Sequence, residues 1–238
     1  MSADISLYNT HPDEYNDIQN LRPDYKKAIE MTVELAIKYM HGKNSISIAD
    51  FCGGTGAITK KIADIINIDK AKIVDTNQEF LNIAERADIK TKKLETACSD
   101  ILDIKLDREY DLILSIFAYH HIPDDKKEKY LKQVVDGLKE SGILILTEIY
   151  LPNKKITLNY YHKLLDEMSE KSPILEKFIT ETAESTDYEF KVSRGFADRQ
   201  MTELGLTEIE CIKIWPLDNT LDKDIGTFVQ IFKNTNKS

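Results

Sequence analysis

The sequence predicts an α/β fold: a doubly wound, mostly parallel seven-stranded sheet that ends in an antiparallel hairpin. Three observations carry this reading. Residues 46–51, 112–117 and 143–149 are short, nearly unbroken apolar runs, the pattern of strands covered by helices on both faces. The stretches between them carry apolar residues at three- and four-residue spacings, as helices with one buried face do. Strand and helix alternate along the chain, and that order builds a parallel sheet.

Taken in order, residues 2–20 are polar, and a helix over about 24–41 follows, marked by Ile29, Val33, Ile37 and Met40 and ended by Gly42. The first strand, 46–51, runs into a glycine-rich turn. Ile58, Ile62, Ile65 and Ile66 then mark a helix, Ile73-Val74 a second strand, and Phe80, Leu81 and Ala84 another helix. A weaker third strand at 94–98 precedes the fourth at 112–117. Leu131, Val134, Val135 and Leu138 mark the helix before the fifth strand at 143–149. From 151 to 190 the chain is rich in Lys, Glu, Tyr and Met, with helical stripes and no strand, and reads as a helical insertion. A short helix over about 193–204 ends at Gly205, and 207–215 with 227–232 form the hairpin. No repeat is visible, and the polar tail from Asn234 is the candidate for disorder.

The chain has 238 residues, enough for one sizeable core. Its net charge of −9 argues against a nucleic acid as main partner, because such affinity comes from Lys and Arg neutralising phosphates. A small molecule is the expected partner. Cys52, Cys98 and Cys211 are widely separated and lack C-x-x-C spacing, so neither a disulfide framework nor a zinc site is expected. No apolar run reaches membrane-spanning length and no signal peptide is visible, so a cytoplasmic location is expected.

The richest segment is residues 46–58, where an apolar strand enters a glycine-rich turn that opens a helix. Such a turn lets backbone approach a ligand, and the free N–H groups of the new helix can meet an anionic group. Asp50 stands at that strand's end, Asp75 at the second strand's end and Asp100 after the third. The carboxyl ends of parallel strands form the ligand crevice of an open sheet. Three acids along that edge describe a nucleoside site: one can accept from ribose hydroxyls, another from an exocyclic amine. For Asp50, capping the turn and touching the ligand both stand open.

The run from Asp50 to Gly56 (DFCGGTG), then Val74-Asp75, then Ser99-Asp100, then Asp111 to Ile122 (DLILSIFAYHHI), resembles the ordered motifs of class I S-adenosylmethionine-dependent methyltransferases. Residues 137–145 (GLKESGILI) resemble that family's entry into its fifth strand, and the hairpin its reversed seventh strand. The likeness covers 45–150 and, more loosely, 193–232. It implies a single Rossmann-like domain: a helical arm at 1–44, a cofactor-binding core at 45–150, a substrate lid at 151–192 and a terminal helix and hairpin at 193–238. It also implies S-adenosylmethionine as cofactor. Asp50, Cys52, Gly53, Gly54 and Gly56 would form its loop, with Gly54 and Gly56 beside the methionine part. Asp75 with Thr76 would hold the ribose, Asp100 and Ile101 would bracket adenine, and Ser115 and Ile116 would flank the methyl. Cys52 replaces the first glycine of the family's loop, which is tolerable if its φ is negative.

His120 and His121 follow the fourth strand, where a general base could reach a substrate, and Glu148 ends the fifth. Each also has a structural reading, as a packed ring or a buried pair. No third group stands at metal spacing, so no metal is expected. In the arm, Tyr15, Arg22 and Tyr25 would fold over the cofactor, with Arg22 facing a carboxylate or serving only the helix entry. Tyr150, Tyr160, Tyr161 and His162 read as the insertion's attachment to the core. Lys126-Lys127-Glu128-Lys129 reads as a solvated helix face. The expected function is methyl transfer to a small molecule with an oxygen, nitrogen or carbon nucleophile. Two alternatives are an NAD(P)-dependent oxidoreductase and a non-catalytic S-adenosylmethionine-binding regulator. Asp75, about twenty residues past the glycines, suits the oxidoreductase; Asp50, and Thr59 where G-x-G-x-x-G needs glycine, count against it.

Overall fold

The apolar runs assemble into one seven-stranded sheet of order β3-β2-β1-β4-β5-β7-β6. The computed structural model describes residues 12, 14–168, 172–184, 189–218 and 220–236. The remaining residues of the arm, the insertion and the tail lie outside the described residues. The strands are β1 (Ile46–Phe51), β2 (Ile68–Asp75), β3 (Thr91–Cys98), β4 (Tyr110–Ile116), β5 (Leu138–Tyr150), β6 (Leu206–Trp215) and β7 (Gly226–Asn234). The first five are mutually parallel, and β7 runs antiparallel between β5 and β6.

Alternate side chains of the central strands feed two cores. Ile48, Leu112, Leu114, Ile143 and Ile145 face one, with α2 (Pro23–Met40), α3 (Ala57–Ala63), α4 (Gln78–Arg86), α6 (Lys154–Glu167) and α7 (Pro173–Glu184). Ala49, Phe51, Ile113, Leu144 and Leu146 face the other, with α5 (Lys127–Gly137) and α8 (Arg194–Glu203). A five-residue helix, α1 (Tyr15–Gln19), precedes α2. The result is three layers, and every β–α turn of the parallel strands opens on the same sheet edge.

Several expectations shift. α3 ends at Ala63, so Ile65 and Ile66 fall outside it, and Ile65 is 61% exposed. Leu138 opens β5 rather than closing α5. The buried face of α2 is Ala28, Ile29, Thr32, Leu35, Ala36 and Met40, with Val33 and Ile37 at its margin. Thr32 belongs there because its hydroxyl pairs with that of Thr147 in β5 at 2.7 Å. β2 and β3 are longer than the apolar residues mark, since their polar positions lie near the sheet edge and remain half-exposed. Asn234 is buried at the end of β7, and Asn236 donates to the Leu204 carbonyl, so the tail stays packed that far.

Candidate functional site

The turn after β1 must reverse the chain within a few residues, and it does so through left-handed backbone at Cys52 (φ +54°), Gly54 (φ +53°) and Gly56 (φ +69°). Cys52 therefore departs from the negative φ expected of it, and its Cβ carries a steric cost that glycine avoids. The turn is fixed by the Gly53 N–H, which donates to the Val74 carbonyl (3.1 Å). A Cβ on Gly53 would lie 2.6 Å from the Asp50 Cγ. One on Gly56 would lie 2.8 Å from Ile73, so that glycine seats α3 against β2 and stands off the cavity wall. A Cβ on Gly54 would meet nothing nearer than 3.8 Å, so the space beside it on the cavity wall is open, although its N–H is engaged by Asp75.

Beyond this turn lies a cavity of about 710 Å³. Asp50, Cys52, Gly53, Gly54, Asp75, Thr76, Asp100, Ile101, Ile116, His121 and Tyr15 all line it. Asp75 accepts from the Gly54 N–H through Oδ2 and from the Asn77 N–H through Oδ1, both at 2.9 Å. The Thr76 N–H also bonds this carboxylate, so one of its lone-pair sites is left for a ligand hydroxyl. Burial raises the Asp75 pKa, against the pull of those N–H groups. Asp100 caps the 3₁₀ turn Ile101–Asp103 by accepting from the Leu102 N–H at 2.9 Å. Asp50 is buried under the turn, accepts from the Thr59 hydroxyl at 2.7 Å, and is pushed up to about 7 by burial. It both supports the turn and borders the cavity.

Ser115 is off the cavity wall. Strand alternation turns it into the α5 layer, where its hydroxyl pairs with that of Tyr130 at 2.6 Å, while Ile116 faces the cavity. Arg22 is also displaced: it is buried and paired with Asp24 at 2.8 Å, and Asp24 in turn accepts from the Tyr160 hydroxyl. Tyr150, Tyr160 and Tyr161 are buried and line no part of this cavity, while His162 is exposed. Lys127 is no solvated face; it is fully buried and donates to the carbonyls of Tyr119 (3.0 Å) and Ile122 (2.6 Å). That pins the 3₁₀ turn Tyr119–His121 from below.

The sequence reading missed Phe80, Asn16, Thr55 and Phe117 as wall residues. The arm closes over the cavity through three contacts: Tyr15 on Phe80 (ring centroids 5.0 Å), Asn16 with Thr55 (2.8 Å), and Tyr25 stacked on Phe117 (5.3 Å, 19°). Phe117 has φ +51°, unusual for a bulky side chain. Its placement directly after the fourth strand was the available signal.

His120 is buried behind His121, their ring centroids 4.1 Å apart. The His120 Nδ1 meets the Glu148 Oε1 at 2.5 Å, and Glu148 also accepts from the N–H groups of His120 (3.0 Å) and Ile149 (2.6 Å). Burial, with Lys191, Lys127 and Arg22 nearby, holds His120 neutral, and burial pushes Glu148 up to about 7. Neither His120 nor Glu148 lines the cavity. Contrary to the expectation that no third group stands at metal spacing, a Glu189 carboxylate oxygen and ring nitrogens of His120 and His121 lie within 4.8 Å of one another. Glu189 arrives from the segment before α8, too far along the chain for spacing to reveal. Its other oxygen pairs with Lys191.

A family model described as a methyltransferase domain matches residues 48–142. An uncharacterized methyltransferase of Anoxybacillus flavithermus is 24% identical over 87% of this chain and 85% of its own. A carboxy-S-adenosyl-L-methionine synthase of Shewanella halifaxensis is 29% identical over 62% of this chain and 63% of its own. A second uncharacterized methyltransferase, of Staphylococcus carnosus, is 24% identical over 48% of this chain and 54% of its own, so the matches span from 54% to 85% of the length of these curated relatives. Among solved structures, an S-adenosylmethionine-dependent methyltransferase from Clostridium acetobutylicum superposes with a TM-score of 0.65 at 18% identity. It covers 96% of this chain and 99% of its own, and shares the fold.

Proposed function

We propose that the chain is a class I S-adenosylmethionine-dependent methyltransferase, as the methyltransferase-domain match over residues 48–142 supports, and that it transfers a methyl group from S-adenosylmethionine to a small molecule bound in the same cavity. One observation carries the reading: a single cavity is lined both by Asp75, Asp100 and Gly54 and by Tyr25, Phe117 and His121. The residues fit the cofactor. Asp75, with its remaining acceptor site, would hold the ribose, Asp100 and Ile101 the adenine, and the Cys52–Gly54 backbone the methionine part. When bound, the cofactor supplies a methyl made electrophilic by a sulfonium. The chain's task is to hold a nucleophile in line at attack distance and exclude water. Ile116 and the arm residues Tyr15 and Tyr25 support that role as a wall and a roof.

A small acceptor suits the cavity's size, which falls within the range of roughly 300–1,000 Å³ common for small-molecule sites. No Lys or Arg lines it among the described residues, which disfavours a polyanion. Among the described residues no helix is long and apolar enough to cross a membrane, and three free thiols suit the reducing cytoplasm. Calorimetric titration with S-adenosylmethionine, S-adenosylhomocysteine, NAD and NADP tests the reading. Binding of the first two only, lost in Asp75→Ala, is expected; binding of a dinucleotide would replace this function with an oxidoreductase.

A further inference from the structure

We propose that the acceptor is a flat, uncharged ring bearing an acidic hydroxyl, a phenol or hydroxylated heteroaromatic, that stacks on the Tyr25–Phe117 wall and gives its proton to His121. The inference rests on the methyltransferase reading and adds the substrate class.

Three features point to a flat, neutral acceptor. Tyr25 and Phe117 stack on one another and both line the cavity, so the pair offers ordered aromatic surface to a ligand, with Ile116 and Ile122 beside it. Flat π-systems gain most from such a surface. Phe117 holds its place from left-handed backbone, with its N–H bonded to the Thr147 carbonyl at 2.8 Å. Backbone strain of this kind persists where the surroundings over-determine it, and it concentrates at functional sites. The absence of Lys and Arg among the described lining residues leaves a carboxylate or phosphate acceptor with no cation to offset its desolvation. Tyr25 offers no charge either, because burial raises its pKa far above the ordinary phenol range.

His121 is the histidine of this wall that reaches the cavity. His120 faces Glu148 from β5, Glu189 and Lys191 from the segment before α8, Lys127 from α5 and Arg22 from the arm. Held neutral among them, His120 packs against His121 without opposing a charge there. The Glu189 carboxylate, within 4.8 Å of the His121 ring nitrogen, favours the imidazolium once it forms. Transfer forms a C–O bond from the hydroxyl oxygen's electron pair and breaks the methyl C–S bond with its pair to sulfur. The hydroxyl proton ends on His121 and leaves to water. His121 is thus the catalytic base, and Glu189 and the His120–Glu148 pair are positioning residues.

The test is ligand-observed NMR on protein saturated with S-adenosylhomocysteine, using equal sets of phenols, aromatic carboxylates and aliphatic amines. Phenols should be enriched, and the enrichment should vanish in Phe117→Leu, which keeps apolar volume and removes the flat face. Methylation of the enriched phenols then gives rates. His121→Gln should lower kcat by about 10²–10⁴-fold and abolish the acid limb of the pH profile, with acceptor KM and S-adenosylhomocysteine affinity little changed. Glu189→Gln should move that limb to lower pH. Failure of S-adenosylhomocysteine to bind would defeat the methyltransferase reading itself. Binding of it with carboxylates or amines enriched, with no class enriched, or with His121→Gln at full rate, would overturn the acceptor inference alone.

Discussion

Asp50 ties the ligand turn to pH. Burial raises its carboxyl from 3.8 to about 7, outweighing the Thr59 hydrogen bond. Between those values the folded protein binds a proton that the unfolded chain has lost, so this group's contribution to stability falls as pH rises through the window. The slope is about 1.4 kcal/mol per pH unit. Asp50→Asn should therefore match the wild type near pH 4 and gain on it progressively up to pH 7, as read by urea unfolding at several pH values. A difference independent of pH would show that the carboxyl is not desolvated as described. Cys52 offers a second test in the same turn. Its left-handed backbone costs about 1–2 kcal/mol, and glycine returns about 0.5–1 of that through the unfolded chain. Cys52→Gly should therefore leave stability unchanged or raise it by up to about 1.5 kcal/mol, whereas the β-branched Cys52→Val should lower it, both read in thermal unfolding.

At the scale of elements, α4 couples helix capping to the ligand site. The Asn77 side chain caps it by accepting from the N–H groups of Glu79 (2.9 Å) and Phe80 (3.4 Å), and its own N–H holds Asp75. Phe80, in the first turn, is the platform for Tyr15 of the arm. Asn77→Ala should cost about 1 kcal/mol of stability, and it should also weaken S-adenosylmethionine binding in calorimetry, because the cap, Asp75 and the platform for the arm share one turn. Asn77→Asp, which keeps the cap, should restore most of the stability. Full affinity in Asn77→Ala would separate capping from binding. The sequence made α4 legible because Phe80, Leu81 and Ala84 fall on one face, and the structure buries all three. It misplaced the end of α3 because apolar Ile65 and Ile66 continue the spacing after the helix has stopped. Periodicity reports which residues are apolar, and burial depends on what the fold places opposite them.

At the scale of the whole molecule, the arm, the sheet edge and the Tyr119–His121 turn enclose one cavity, so a ligand there binds the folded state alone. S-adenosylhomocysteine at one hundred times its Kd should add about 2.7 kcal/mol, a rise in Tm of roughly 5–10 °C for a chain of this size. It should also slow proteolysis within residues 14–22, since Tyr15 and Asn16 contact the cavity rim. A thermal shift without arm protection would show that the ligand binds beneath an arm that remains open.

The sequence by itself determined the order of strands and helices, the glycine-rich turn and the acids Asp50, Asp75 and Asp100 at the strand ends, because these are local patterns whose spacing needs no distant partner. Only the tertiary structure decided which way each group faces and what meets it. Strand alternation turned Ser115 toward Tyr130, packing of the arm paired Arg22 with Asp24, and the fold carried Glu189 to His120 and His121. It also buried Lys127 beneath the histidine turn and bent Cys52 and Phe117 into left-handed backbone. Each of those outcomes depends on atoms distant in sequence competing for one enclosed space, where an unpaired charge or a void costs more than local preference can offset.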